Sequence, residues 1–298
     1  MRAKTACLSL LAALTLPALA QAPDPLPVPQ GEVETIHSDA QREKDDNTAR
    51  DFVRTYLDPS YPLDEQFALW KVKVCPRVWG LKPLASWTIE HRIKQVAQQV
   101  GAPVDWADTC KAPNVLVIVS PEPQATLDSL ADKVPILVAM RDILRLDIKY
   151  PIQSWYVPMI GDYDGKKTLA IQTADGGAPV FHAEGTRLEN GLSVGFGMAT
   201  IIINAKAVSG LSLSAIADYA AMAGLSETVQ RGWCHPIPTI ANLMVKDCPA
   251  ENRSNGLTDI DLAMLTGLYS NDDGPGLLQR QRIVRVMREV REKAPGAP

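Results

Sequence analysis

Histidine, net positive charge and long apolar runs are what this chain has least of. Its 298 residues include four histidines, His37, His91, His182 and His235, none a helical turn from another. A histidine-based metal site has no support in that spacing. No stretch reaches the ~18 consecutive apolar residues that span a bilayer, so no integral membrane segment is expected. The 30 basic residues are outnumbered by 34 acidic ones. Such a balance argues against nucleic acid and anionic membrane as partners. Closely spaced CxxC pairs are also missing, which removes a four-cysteine zinc site.

What is present begins with an export signal. Arg2 and Lys4 precede an apolar core at 6–16, and Ala18-Leu19-Ala20 has the small-x-small form of a cleavage site. Residues 1–20 are read as a signal peptide, which places the mature protein in the periplasm or outside the cell. Removing Arg2 and Lys4 leaves 28 basic against 34 acidic residues, a net charge of −6. Export implies an oxidising compartment, and four cysteines remain once Cys7 is gone. Cys75–Cys110 and Cys234–Cys248 are the favoured disulfides, because each pair brackets one local unit. Residues 21–51, proline-rich and then polar, are expected to form a mobile or loosely helical leader. Residues 52–298 are expected to be a single domain.

Along that domain, 67–75 alternates apolar residues with Lys71 and Lys73 and is predicted as a strand closed by Pro76. Residues 84–100 are predicted helical, with Ile89, Ile93, Val96 and Val100 on one stripe and Gly101 past the end. The run 114–120 reads as a strand buried on both faces, the mark of a parallel, central position. A helix is expected at 124–133. Short strands are expected at 154–157 and 168–171, with turns at Asp164-Gly165 and Gly176-Gly177. The strand at 193–204 should show Val194, Phe196, Met198, Thr200 and Ile202 on one face. Its other face should show Gly195, Gly197, Ala199, Ile201 and Ile203. Helices follow at 212–223, with Gly224 as a left-handed cap, at 257–269 and at 276–293. This order predicts an α/β (α+β) fold, a mixed twisted sheet with helices packed on it.

The stretch 193–227 is where a resemblance enters. Strand, helix, strand, further strands, a last edge strand and then a helix resembles the order of the zincin-like metallopeptidases. Metzincin-type members carry HExxHxxGxxH on that helix, two histidines binding zinc and the glutamate acting as general base. Matching Gly224 to the motif glycine puts Ala217 and Ala221 at the helix histidines, Asp218 at the glutamate and Glu227 at the third ligand. Alanine has no lone pair for a metal, so the resemblance implies a scaffold without metal or other cofactor. The run GLTDIDLAMLTGLY at 256–269 also resembles the "LT..D...L..LY" helix that follows the active helix in zincin-like proteins. That match extends to an uncharacterised family of secreted bacterial proteins. The implied role is non-catalytic, pseudo-peptidase-like binding or structural work with an unnamed protein or cell-envelope partner. Asp218 and Glu227 remain the catalytic candidates if the helix is active after all, and Asp218 with Tyr219 would line any groove there.

Two alternatives come from other residues. Gly191-Leu192-Ser193-Val194-Gly195 matches G-x-S-x-G, and Ser193, Asp218 and His235 follow in hydrolase order. A serine hydrolase using Ser193 and His235 is the second hypothesis, although this motif leads into a strand where a nucleophile elbow leads into a helix. The third is a partner-binding module using the tryptophan-rich first half, Trp70, Trp79, Trp87, Trp106 and Trp155. Asp162-Tyr163-Asp164-Gly165 begins like a calcium loop but lacks the later oxygen ligands. Arg280, Arg282, Arg285, Arg288 and Arg291, tempered by Glu289 and Glu292, read as the solvated face of the last helix.

Overall fold

The computed structural model describes residues 30–59, 65–107, 111–131, 147–162, 191–228, 232, 234–271 and 274–293. The chain divides into two units, Met1–Ala40 and Gln41–Pro298. Of the first, the described part is the start of helix α1 (Gln30–Tyr56). The signal at 1–20, the strand candidate at 168–171, both predicted turns, the end of the calcium-like run, His182 and Cys110 lie outside the described residues.

Within Gln41–Pro298, packing of α1 begins ahead of the expected boundary at Phe52. Asp45, Ala49, Phe52, Val53 and Tyr56 are all buried. They fall on one stripe at helical spacing, so a mostly polar run is held as a helix by its narrow apolar face.

The remaining elements are β1 (Pro76–Trp79), α2 (Pro83–Val100), β2 (Val115–Ser120), α3 (Pro123–Ala131), β3 (Ile152–Asp162), β4 (Leu192–Asn204), α4 (Leu213–Leu225), α5 (Asp259–Tyr269) and α6 (Gly276–Lys293). The four strands form one mixed sheet in the order β1-β2-β4-β3. β2 pairs parallel with β1 and β4, while β3 runs antiparallel to β4. Every residue of β2 is buried, as its unbroken apolar run requires. The expected fold class, a mixed sheet with helices around it, is what forms. The strand that feeds α4 is interior, with β2 and β3 on its two sides, whereas the element order placed an edge strand there.

Helices cover both faces. Val115, Val117 and Val119 of β2 and Ala199, Ile201 and Ile203 of β4 join the main core with Ile89, Ile93 and Val96 of α2. Ile118, Ile202 and Trp155 look the other way and pack on Leu127 of α3. Each such aliphatic side chain contributes about 1.5–3 kcal/mol relative to exposure. α2 starts with Pro83 in its first turn and ends at Gly101 with φ 88°, as its sequence signals predict.

Three local expectations are corrected. Residues 67–75 do not form a strand; Phe67, Ala68, Leu69 and Trp70 are buried in succession and make only isolated bridges, Leu69 with Gly195 and Val74 with Val104. Four consecutive buried residues cannot alternate faces, and Pro76 opens β1 rather than closing a strand. The two predicted faces of β4 also change phase. Val157 sits opposite Met198 and Pro158 opposite Phe196, so Gly197 is skipped. This bulge turns Phe196 toward the same core as Ala199, and a Cβ on Gly197 would lie 2.8 Å from Met159 Cγ. Finally, Gly224 is not a left-handed cap. It lies inside α4, where a Cβ would meet Val115 Cγ1 at 3.0 Å. Its role is close approach of helix to sheet.

Candidate functional site

α4 begins at Ser212, whose hydroxyl accepts a hydrogen bond from the Ala215 N–H at 3.1 Å. From Ala217 to Leu225 every residue is buried, so small alanine side chains let α2 and the sheet close around it. Its last carbonyls are satisfied by aromatic donors from three separate elements. Tyr156 Oη donates to Ala223 O at 2.8 Å, Trp70 Nε1 to Gly224 O at 2.8 Å, and Tyr269 Oη to Leu225 O at 2.6 Å. Burial pushes both phenols well above their ordinary pKa, so they stay protonated as donors. This replaces the glycine cap and fixes the helix end.

The predicted chemical residues then fall into different surroundings. Ala217 and Ala221, at the two histidine positions of the resemblance, are core side chains. Asp218 is buried and divided between two donors: Arg92 Nε of α2 bonds its Oδ1, and the Leu257 N–H donates to Oδ2 at 2.9 Å. It ties three segments together. Glu227 is half-buried just beyond the helix, beside Tyr156, whose pKa its charge helps to raise. Its carbonyl accepts from Asp58 N at 3.1 Å.

Ser193 is buried near the start of β4, opposite Gly161 of β3. His235 is 1% exposed and both ring nitrogens are engaged: Nε2 with Asp51 Oδ2 at 3.2 Å, Nδ1 accepting from the Ile237 N–H at 3.1 Å. The accepting Nδ1 fixes the proton on Nε2, and burial depresses the ring's pKa below 6.5. Neither nitrogen is directed at Ser193. Cys234 and Cys248 stand at disulfide distance, with Cα atoms 5.2 Å apart. Among the described residues, no group of three or more His, Cys, Asp or Glu could hold a metal ion.

A second buried carboxylate escapes the sequence reading. Asp261 is fully buried and accepts from Thr239 Oγ1, from the Ile240 N–H at 3.0 Å and from the Thr258 N–H at 2.9 Å. With Thr258 it forms a capping box on α5. The box is legible as T-x-x-D, but the link to Thr239 is not.

The open space lies on another side of α4. A cavity of about 490 Å³ is lined by Tyr56, Tyr150, Tyr219, Ile152, Ala241 and Met244, with Lys149 and Lys246 among its other walls. Tyr219, expected to share a groove with Asp218, lines this cavity without it. Tyr56 spends its hydroxyl on Asn242 Oδ1 at 2.5 Å. Neither the Tyr150 hydroxyl nor the two ammonium groups have a hydrogen-bond or ion-pair partner among the described residues. Tyr219 had a signal in the sequence, as the one large polar-tipped side chain in an alanine-rich helix; Tyr56 and Tyr150 had none. Comparison with protein-family models, with curated proteins and with solved structures found no match for this chain.

Proposed function

We propose that this chain is an exported, non-catalytic binding protein on a zincin-like scaffold whose helix no longer carries a metal site. The observation that carries this reading is the division of labour on α4. Asp218 has both oxygens committed to Arg92 and Leu257, while Tyr219 faces an apolar cavity. Apolar lining with a few polar groups is the make-up of a small-molecule pocket. Lys149 and Lys246 favour a ligand with an apolar body and one anionic end. Binding is tested with a fluorescent anionic amphiphile such as anilinonaphthalene sulfonate. Saturable binding that Ala241→Trp abolishes is expected; binding unchanged by Ala241→Trp would remove the pocket from consideration. Metal analysis tests the scaffold reading, and stoichiometric zinc lost on Asp218→Ala would overturn it.

A hydrolase using Ser193 and His235 has less support, because the imidazole has no nitrogen to spare. A fluorophosphonate probe that labels Ser193 in folded protein would restore it. The partner-binding reading of the tryptophan-rich half has one observation in its favour. Trp87, 57% exposed, stacks on His91 at 4.7 Å, and His91 meets Trp106 at 5.7 Å. Trp70 and Trp155 are core residues instead. Pull-down with cell-envelope fractions, lost on Trp87→Ala, would raise that surface to first place.

A further inference from the structure

Between α1 and α6 lies a groove of about 440 Å³. Arg50 and Arg54 line it from α1 and Arg280, Arg285 and Arg288 from α6, with Asp46 the one carboxylate among its lining residues. Arg288 is bonded to Asp46 at 3.1 Å, Arg50 to Asn47 at 2.9 Å, and Arg280 to Glu65 at 2.8 Å. Arg54 and Arg285 have no ion pair or hydrogen bond among the described residues. Leu277, on the same wall, is 61% exposed, and its neighbour Leu278 is 54% exposed. The apolar side of α6, Ile283, Val284 and Met287, is already buried in the core. Cationic groove and apolar lip therefore both face outward.

We propose that this groove docks the protein on a membrane surface by taking the phosphate of an anionic phospholipid, with Leu277 and Leu278 entering the interfacial layer. Guanidinium forks match phosphate oxygens, and unpartnered ones lose no internal bond by binding. A soluble phosphate would use the arginines and leave the leucines without purpose; so would a nucleic acid. Basic side chains beside exposed leucines are the combination an anionic lipid surface rewards. Among the described residues no helix is long and apolar enough to cross a membrane, so contact would be peripheral. The whole-chain charge of −4 predicts no such partner, because it averages away the cluster that α1 completes against the arginine stripe of α6.

The test is sedimentation of purified protein with phosphatidylcholine vesicles, with and without phosphatidylglycerol. Binding only to the anionic vesicles, weakened by added salt, is the expected result. Arg54→Gln with Arg285→Gln should lower it about 30-fold, the ratio that about 1 kcal/mol per basic side chain gives for two. Leu277→Ser with Leu278→Ser should lower it several-fold without changing any affinity for glycerol phosphate. Circular dichroism melts of both double variants, within about 0.5 kcal/mol of the parent, show that folding is not what is lost. Equal binding to both vesicle types, no vesicle binding, or indifference to the arginine changes would overturn the proposal. Binding of glycerol phosphate without vesicle binding would replace the lipid with a soluble anion and overturn it equally.

Discussion

The carboxylates at the centre of the fold and the arginines on its α1–α6 flank are answered in opposite ways. Asp218 and Asp261 are each surrounded by donors that the fold itself supplies, from α2, the turn at Thr239 and the entry to α5. On the flank five guanidiniums line a groove with one carboxylate, and two have no described partner. A buried carboxylate with both oxygens engaged by the fold's own donors holds segments together. A cation without a partner is available to a ligand. The helix that looked chemical by position has its carboxylate engaged within the fold, and the helix that looked like an ordinary solvated face keeps unspent donors.

The largest effect that would break this contrast is at Asp261. Asp261→Ala removes the acceptor for Thr239, Ile240 and Thr258 and undoes the capping box at once. Buried donors left unpaired cost about 1–3 kcal/mol each and do not add fully, so a loss of about 3 kcal/mol is expected by urea unfolding. A change under about 1 kcal/mol would mean that the carboxylate is not the hub its contacts suggest. Asp218→Ala comes next. It leaves Arg92 without its counter-charge and Leu257 N–H without an acceptor, but Arg92 is about one-third exposed. Solvent screening holds the expected loss to about 2 kcal/mol. Were Asp218 a catalytic base kept at a cost to the fold, the same change would leave stability level or raise it.

Elements that depend on local pattern were legible in the sequence, and those that depend on distant partners were not. The unbroken apolar run of β2, the stripe of α2 with Gly101 behind it, and the 276–293 helix follow from periodicity and capping. The end of α4 was misread because its caps are Trp70, Tyr156 and Tyr269, donors from other elements that no window around Gly224 contains. The face swap in β4 depends on a bulge against Val157 and Pro158. Cavity and groove are assembled from residues far apart in sequence, Tyr56 with Tyr219 and Arg54 with Arg285; the arginine stripe of α6 was visible, but not the α1 wall that faces it.

His235 sharpens the contrast through pH. Its folded pKa lies below 6.5, so the unfolded chain takes up a proton where the native state does not. Stability therefore rises with pH through that window and is lost as pH falls from about 6.5 toward the folded value, by at most about 1.4 kcal/mol per pH unit. Asp261 has the opposite sign. Burial raises its pKa above 3.8, so acidification through its own window favours the native state. The two are separated by following melting temperature against pH in the parent and in His235→Gln. The difference between the curves should carry only the loss below about pH 6.5. Parallel curves would show that the imidazole is not held neutral by the fold.

The smallest expected effect lies at the flank. If Arg54 and Arg285 have no internal partner, Arg54→Gln with Arg285→Gln should shift unfolding by no more than about 0.5 kcal/mol. The sign should be slightly stabilising, because two like charges leave a groove that also holds Arg50, Arg280 and Arg288. The shift should shrink with added salt, since exposed charges are screened over roughly 10 Å at 0.1 M. Urea titrations at low and high salt measure all three features. A loss of 1 kcal/mol or more would show that these arginines serve the fold as Asp218 and Asp261 do. The distinction between spent and unspent charge would then fail at the place where it matters most for binding.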